Sequence, residues 1–416
     1  MERRQFLKLG SAAAAAVTLS PTMAQAADRP HVPERKIRSG RLHMTITPYL
    51  YPMIDGNMVY VNLFEIAGEP IAKIDRKGLH PVIWVIEGDT LEITITNNDK
   101  REHAFAITGV DLDETPIPRG ETRTYPPFTV PPPGSYLYHD PHNAPVNRIL
   151  GLNGAMIVLP LVGTTTLAGS PIPYNSAQQK ASPAVCALFD ALGHHKKFPG
   201  NKWVPYPLAP DYHPRDLVWL TSEMDAVLAK RVHDGDYVDG SVWKSSFEPN
   251  YFMINGVSGF DTARHGDLPD DQYSYAGLVE PEGYEGQPTM IRCLNAGLAT
   301  HALHIHGNDL YQLTEAIKAD TNKAKAVVVN NNIFALDTWA MPPMARKDML
   351  LPFVRPLDAP VWPPVEEPFP MRYVMHCHCE MSNTAGGGNY PQGMVTHWEM
   401  LGTHAEYLVK KSKGLI

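Results

Sequence analysis

Tyr373-Val374-Met375-His376-Cys377-His378-Cys379-Glu380 is the stretch whose reading decides the fold. An apolar run that reads as a strand ends there in successive soft-donor residues. Alternation along a strand sends His376 and His378 to one face and Cys377 to the other, so two imidazoles serve one metal cluster while the thiolate serves a second metal. The few covalent bonds between the two faces then form a path for electrons. A partner lies upstream in His301-Ala302-Leu303-His304-Ile305-His306-Gly307. There His304 and His306 share one side of an extended segment, and His301 is free to reach elsewhere.

Outward from these stretches the chain reads as strands and turns. Pro81-Val82-Ile83-Trp84-Val85-Ile86 is a continuous apolar strand, and Leu91, Ile93 and Ile95 then alternate with Glu92, Thr94 and Thr96 in a half-exposed one. Turns fall at Glu87-Gly88-Asp89 and Asn97-Asn98-Asp99, and Pro131-Pro132-Pro133-Gly134 leads into Ser135-Tyr136-Leu137-Tyr138-His139. Short strands punctuated in this way predict an all-β domain over 45–160. Residues 161–214, rich in Pro, Gly, Ser and Asn, read as a linker with a short helix around Ala184 to Leu192, and His194, His195 and His213 as its surface residues. Regularity resumes at Asp216-Leu217-Val218-Trp219-Leu220, the start of a second domain over 215–405.

His-x-x-His-x-His-Gly followed by His-Cys-His resembles the C-terminal cupredoxin domain of multicopper oxidases, the laccase-like family. Those enzymes oxidise a substrate at a mononuclear type 1 copper and reduce dioxygen at a trinuclear cluster. The resemblance implies two cupredoxin-like Greek-key β-sandwich or barrel domains. Carried over residue by residue, it implies that His301 and Cys377 bind the type 1 copper with Met394 as axial ligand, and that His304, His306, His376 and His378 serve the cluster. Cys377, His376 and His378 would then be the catalytic residues. The family places a second type 1 histidine five residues after the cysteine, where this chain has Ser382. His397 or Met381 could stand in, and the sequence does not decide between them.

The two halves repeat. Ser135 to Pro141 lies over Arg372 to His378, and His103-Ala104-Phe105 over His304-Ile305-His306. The first domain is thus expected to be a cupredoxin without the cysteine. Where the family donates two His-x-His pairs, this chain has His103-x-Phe105 and His139-x-Pro141, with His142 one residue late and able to compensate at a bulge. The implied cluster set is His103, His139, His142, His304, His306, His376 and His378, holding two to four copper ions per chain together with the type 1 site. In two-domain laccase-like oxidases the type 1 cysteine lies in the second domain, as here, and such proteins close into a homotrimer with clusters shared between subunits.

Composition agrees with a globular two-domain protein: 416 residues, 44% hydrophobic, 39 prolines. A net charge of -8 argues against nucleic acid as a partner. Arg3-Arg4-Gln5-Phe6-Leu7-Lys8, an Ala-rich run and Ala24-Gln25-Ala26 read as a twin-arginine signal over 1–26, giving a periplasmic or secreted bacterial protein. No other stretch is long and apolar enough to span a membrane. Four cysteines, Cys186, Cys293, Cys377 and Cys379, enter an oxidising compartment, and no pairing is read from them.

The expected function is an exported copper-dependent oxidoreductase taking electrons from a phenol, metal ion or other small reductant, with dioxygen as acceptor. The rival readings are a copper-binding or copper-tolerance protein without turnover, and a metal-free cupredoxin scaffold. Asp309, Asp348 and Glu399 read as surface or turn carboxylates rather than proton-supplying groups.

Overall fold

The computed structural model describes residues 39–69, 73–75, 79–161, 171–193, 203, 215–259, 261–263, 279–316, 327–356, 367–386, 388 and 390–415. The export signal read at 1–26, and His194, His195 and His213, lie outside the described residues.

Four sheets carry the fold. Sheet I runs Met58–Glu69, Ser39–Pro52, Thr90–Asn97, Thr122–Thr124, with Phe128–Thr129 also paired to Thr90–Asn97. Sheet II runs Lys73–Asp75, Val82–Ile86, Asn153–Leu159, Gly134–His139, Ala106–Ile107. Sheet III runs Tyr251–Ile254, Asp216–Met224, Thr289–Asn295, Arg346–Leu351, Leu310–Gln312, Ala335–Leu336. Sheet IV runs Glu282–Tyr284, Val395–Gly402, Met371–Cys377, His301–Ile305, Thr338–Met341.

Sheets II and IV share one plan. Val82–Ile86 is parallel to Asn153–Leu159, as Glu282–Tyr284 is to Val395–Gly402. The next strand in each, Gly134–His139 or Met371–Cys377, is antiparallel. The repeat read from the sequence is therefore one of topology, and each half is a cupredoxin-like β-sandwich.

Burial explains the two strand patterns. In Thr90–Asn97 the residues Leu91, Ile93 and Ile95 are fully buried while their neighbours are half-exposed, as a sheet with one covered face requires. Val82–Ile86 is buried throughout because both of its faces are covered. Ile83 and Val85 enter the first domain's core, while Val82, Trp84 and Ile86 pack with Val218, Leu220 and Leu294 of the second domain. Each such side chain contributes about 1.5–3 kcal/mol on burial.

Part of the segment read as a linker is built into the core. Pro183–Gly193 is helical, close to the expected range, and Val185 and Phe189 join Tyr174 and Trp203 against Met290, Leu313 and Leu350 of the second domain. The helices Ala226–Asp234, Gly240–Ser246 and His404–Ser412 were not read from the sequence.

Asp348 is not the surface or turn carboxylate expected. It lies on a core strand, fully buried, accepting from Arg292 Nη1 at 2.8 Å and from the Ser135 hydroxyl at 2.5 Å. Arg292 also grips Asp216 at 2.7 and 2.9 Å, so the buried cation is matched by carboxylates on two neighbouring strands.

Candidate metal centre

Sheet IV positions the histidines. On Met371–Cys377 the residues Met375 and Cys377 are buried in the second domain's core, and His376 is turned to the outer face. Across the ladder, Leu303 pairs with Cys377 and His304 with His376. The outer face therefore gathers His304, His306, His376 and His378, with ring centroids 4.7 Å apart for His304 and His306 and 4.8 Å for His304 and His378.

His306 and His376 are presented with their Nε2 atoms together. His304 Nδ1 lies 2.9 Å from the carbonyl oxygen of Asp337, and His376 Nδ1 lies 3.0 Å from that of Cys377. A carbonyl only accepts, so each Nδ1 carries the proton and each Nε2 keeps its lone pair. His376 Nε2 stands 3.2 Å from His306 Nε2, a contact that only a shared proton or cation makes favourable. The ligand atoms of His304, His306 and His376 all lie within 4.8 Å of one another. Partial burial, then the neighbouring imidazoles, lower the pKa values of His306 and His376, which keeps both rings neutral as metal ligation requires.

On the inner side, Cys377 Sγ is 3.8 Å from His301 Nδ1. Bonds of about 2.0 Å to nitrogen and about 2.3 Å to sulfur, meeting at an open angle, span that distance. Burial alone would raise the Cys377 thiol, but its contact with His301 outweighs burial and brings it down to about 7. Burial likewise opposes protonation of His301, and contacts with Cys377 and Glu223 raise it to about 9. Met394 is fully buried in the same core as Cys377, and its carbonyl accepts the Cys377 N–H at 3.1 Å.

Ser382 is buried beside this pair, its hydroxyl donating to the Cys379 carbonyl at 2.7 Å. Neither suggested stand-in for the missing imidazole is turned to Cys377. Met381 is 60% exposed, and His397 contacts Glu280 on the outer side of sheet IV, in a buried group with Glu399. Glu399 is thus a buried partner of Arg372, at 3.1 Å, and not the surface carboxylate expected. All four cysteines are unpaired.

Within one chain the first-domain histidines are not gathered with those of sheet IV into a single metal-holding group among the described residues. His103 is completely buried, with Nδ1 2.6 Å from Asp140 and Nε2 3.0 Å from Asp99. Burial opposes its charge, but the two carboxylates win and raise its pKa, so both ring nitrogens are taken up as donors. His139 is on the face of Gly134–His139 that also carries Ser135 and Leu137, and that face is turned onto the second domain. Burial there, then Arg148, depress its pKa to about 3. His142 is half-buried, and its backbone N–H donates to Asp140 at 2.7 Å. Phe105 lies in an aromatic core with Phe64, Tyr125 and Tyr138. Among the described residues no three-residue metal-holding group includes a first-domain histidine.

Sequence reasoning missed Asp99, Asp140 and Glu223. Asp140 stands at the cysteine's place in the repeat, which was a signal. Glu223 was marked only by being an acid near the end of a fully buried strand.

A family model described as multicopper oxidase matches residues 58–162, most of the first domain. The blue copper oxidase from Nitrosomonas europaea superposes with a TM-score of 0.57 at 17% identity, covering 88% of this chain and 86% of that one. The multicopper oxidase mgLAC gives 0.54 at 18% identity, covering 88% and 86%. A copper nitrite reductase from Nitrosomonas europaea gives 0.50 at 16% identity, covering 88% and 94%. No curated protein matches the chain. The class is thereby defined as a two-domain cupredoxin-fold protein. Its first domain matches the multicopper oxidase family model, in keeping with the resemblance read from the second-domain motifs.

The donor set fits copper. A buried thiolate facing an imidazole suits a soft or borderline ion, and neutral imidazoles sharing a lone-pair focus suit a redox-active cluster. The backbone carbonyls of Asp337 and Cys377 already fix the tautomers of His304 and His376 that ligation needs.

Proposed function

We propose that the protein is an exported copper-dependent oxidoreductase of multicopper oxidase type, taking electrons from a phenolic, metal-ion or other small reductant and passing them to dioxygen. The observation that carries this reading is that one strand end presents Cys377 to His301 on its inner face and His376, joined to His304 and His306, on its outer face. Copper, when bound, supplies one-electron redox chemistry that no side chain here provides. Cys377, His301 and Met394 would hold one ion, and His304, His306, His376 and His378 the others. The buried inner site excludes water from the thiolate, which protects it from oxidation. The Asp337 and Cys377 carbonyls hold the protons of His304 and His376 away from the metal side. His306 and His378 are exposed, which suits closure of the cluster by a second copy in a homotrimer.

The test is copper per chain in the exported protein, with its visible and electron paramagnetic resonance spectra, oxygen uptake and sedimentation mass. Two or more coppers, a thiolate-to-copper band and oxygen uptake with a reductant are expected. Tight copper without uptake would favour the copper-binding reading, and no copper after reconstitution the scaffold.

A further inference from the structure

Glu223 has no place in the motifs, yet it is the most deliberately held carboxylate near the candidate metals. It lies in the strand Asp216–Met224, completely buried. One oxygen accepts the backbone N–H groups of Leu298 and Ala299, the latter at 2.6 Å, and the other stands 3.2 Å from His301 Nε2. His301 therefore faces Cys377 with Nδ1 and Glu223 with Nε2.

The loop between them has no slack. A Cβ at Gly297 would run into the Glu223 carboxylate, so glycine is required for the close approach. From the first domain the buried Arg148 guanidinium donates to the carbonyls of Ala296 and Gly297, at 2.7 Å for the second. The chain of contacts runs from Arg148 through this loop to Glu223, His301 and Cys377.

We infer that Glu223 is a positioning residue for the Cys377 copper, fixing the tautomer and ring plane of His301 and, as a buried anion on its remote nitrogen, favouring the oxidised ion over the reduced one. The inference rests on the proposal that Cys377 and His301 hold copper. An anionic acceptor on the far nitrogen makes an imidazole a stronger donor, and such outer partners are worth about 10–100-fold in metal affinity. With one histidine beside Cys377 among the described residues, that influence is not diluted by a second.

The experiment compares wild type with Glu223→Gln and Gly297→Ala in the copper-loaded protein. It reads copper content, the thiolate-to-copper band, the electron paramagnetic resonance spectrum and the reduction potential. Glu223→Gln keeps the size and removes the charge, while Gly297→Ala displaces the carboxylate from His301. Both should raise the potential, with Glu223→Gln changing the oxidised-to-reduced preference at least about tenfold, or about 59 mV for one electron. Copper on the four outer histidines should stay unchanged, and Glu223→Asp should restore part of the shift. A band and potential identical to wild type in Glu223→Gln would overturn the role of Glu223 alone. Loss of the fold in both variants would assign it a purely structural role and overturn the proposal equally. A wild-type protein with copper but no thiolate band would instead sink the assignment of Cys377 and His301.

Discussion

Ser382 stands five residues after Cys377, where the family has its second type 1 histidine, and the structure buries it against the thiol and the Cys379 carbonyl. Ser382→His should add an imidazole to the site proposed for His301, Cys377 and Met394, and the copper-loaded variant should gain intense blue absorption. The larger ring overfills a packed position, so a stability loss of about 1–3 kcal/mol is expected in a urea melt. An unchanged spectrum in a folded variant would show that the vacancy lies elsewhere. At this scale the sequence was most legible where ligands are neighbours in the chain: strand alternation alone separates Cys377 from His376 and His378. It was least legible where the partner is distant. Glu223 meets His301 across 78 residues, and Asp140 meets His103 across 37, distances over which no spacing rule operates. His103 shows the consequence, since the same residue in the same motif becomes a ring clamped by carboxylates once two buried aspartates reach it.

Strands of period two were readable because one covered face forces alternation, and the fully apolar Val82–Ile86 because two covered faces abolish it. The helices Ala226–Asp234, Gly240–Ser246 and His404–Ser412 were not, although Ala226–Asp234 carries its own boundary signals. Asp225 caps it, one carboxylate oxygen accepting from Val227 and Leu228 at 2.9 Å each, and Gly235 ends it with φ of 105°. Its buried residues, Leu228, Ala229 and Val232, are too few to register as a long period in an alternating background. The second Asp225 oxygen accepts the Glu248 N–H at 2.8 Å, tying the helix to a later turn. Asp225→Ala should therefore cost more than an ordinary cap, about 2 kcal/mol, readable as a lower urea midpoint at unchanged slope. Retention of the wild-type midpoint would show that water replaces the cap without loss.

The two domains meet through contacts that join residues far apart in the chain: Ser135 with Asp348, Arg148 with Ala296 and Gly297, and His80 with Ser222, whose hydroxyl lies 2.9 Å from Nε2. The topological repeat was visible in the sequence, but the way its halves pack was not, because His80 and Ser222 are 142 residues apart and belong to no motif. His80 makes this joint sensitive to acid. Burial depresses its pKa from 6.5 to about 3, so the folded protein keeps the ring neutral while the unfolded chain takes up a proton below 6.5. The unfolded state then binds more protons, so the contribution is fully present above pH 6.5 and is lost as pH falls towards 3. The loss amounts to at most about 1.4 kcal/mol per pH unit in that window. His80→Gln keeps a hydrogen-bonding side chain that does not titrate. Urea melts of wild type and variant from about pH 7.5 to about pH 4.5 should diverge in slope, wild type declining more steeply as acid is added. Parallel curves over that range would show that His80 is already protonated in the fold, or that water reaches it, and would remove it from the acid response.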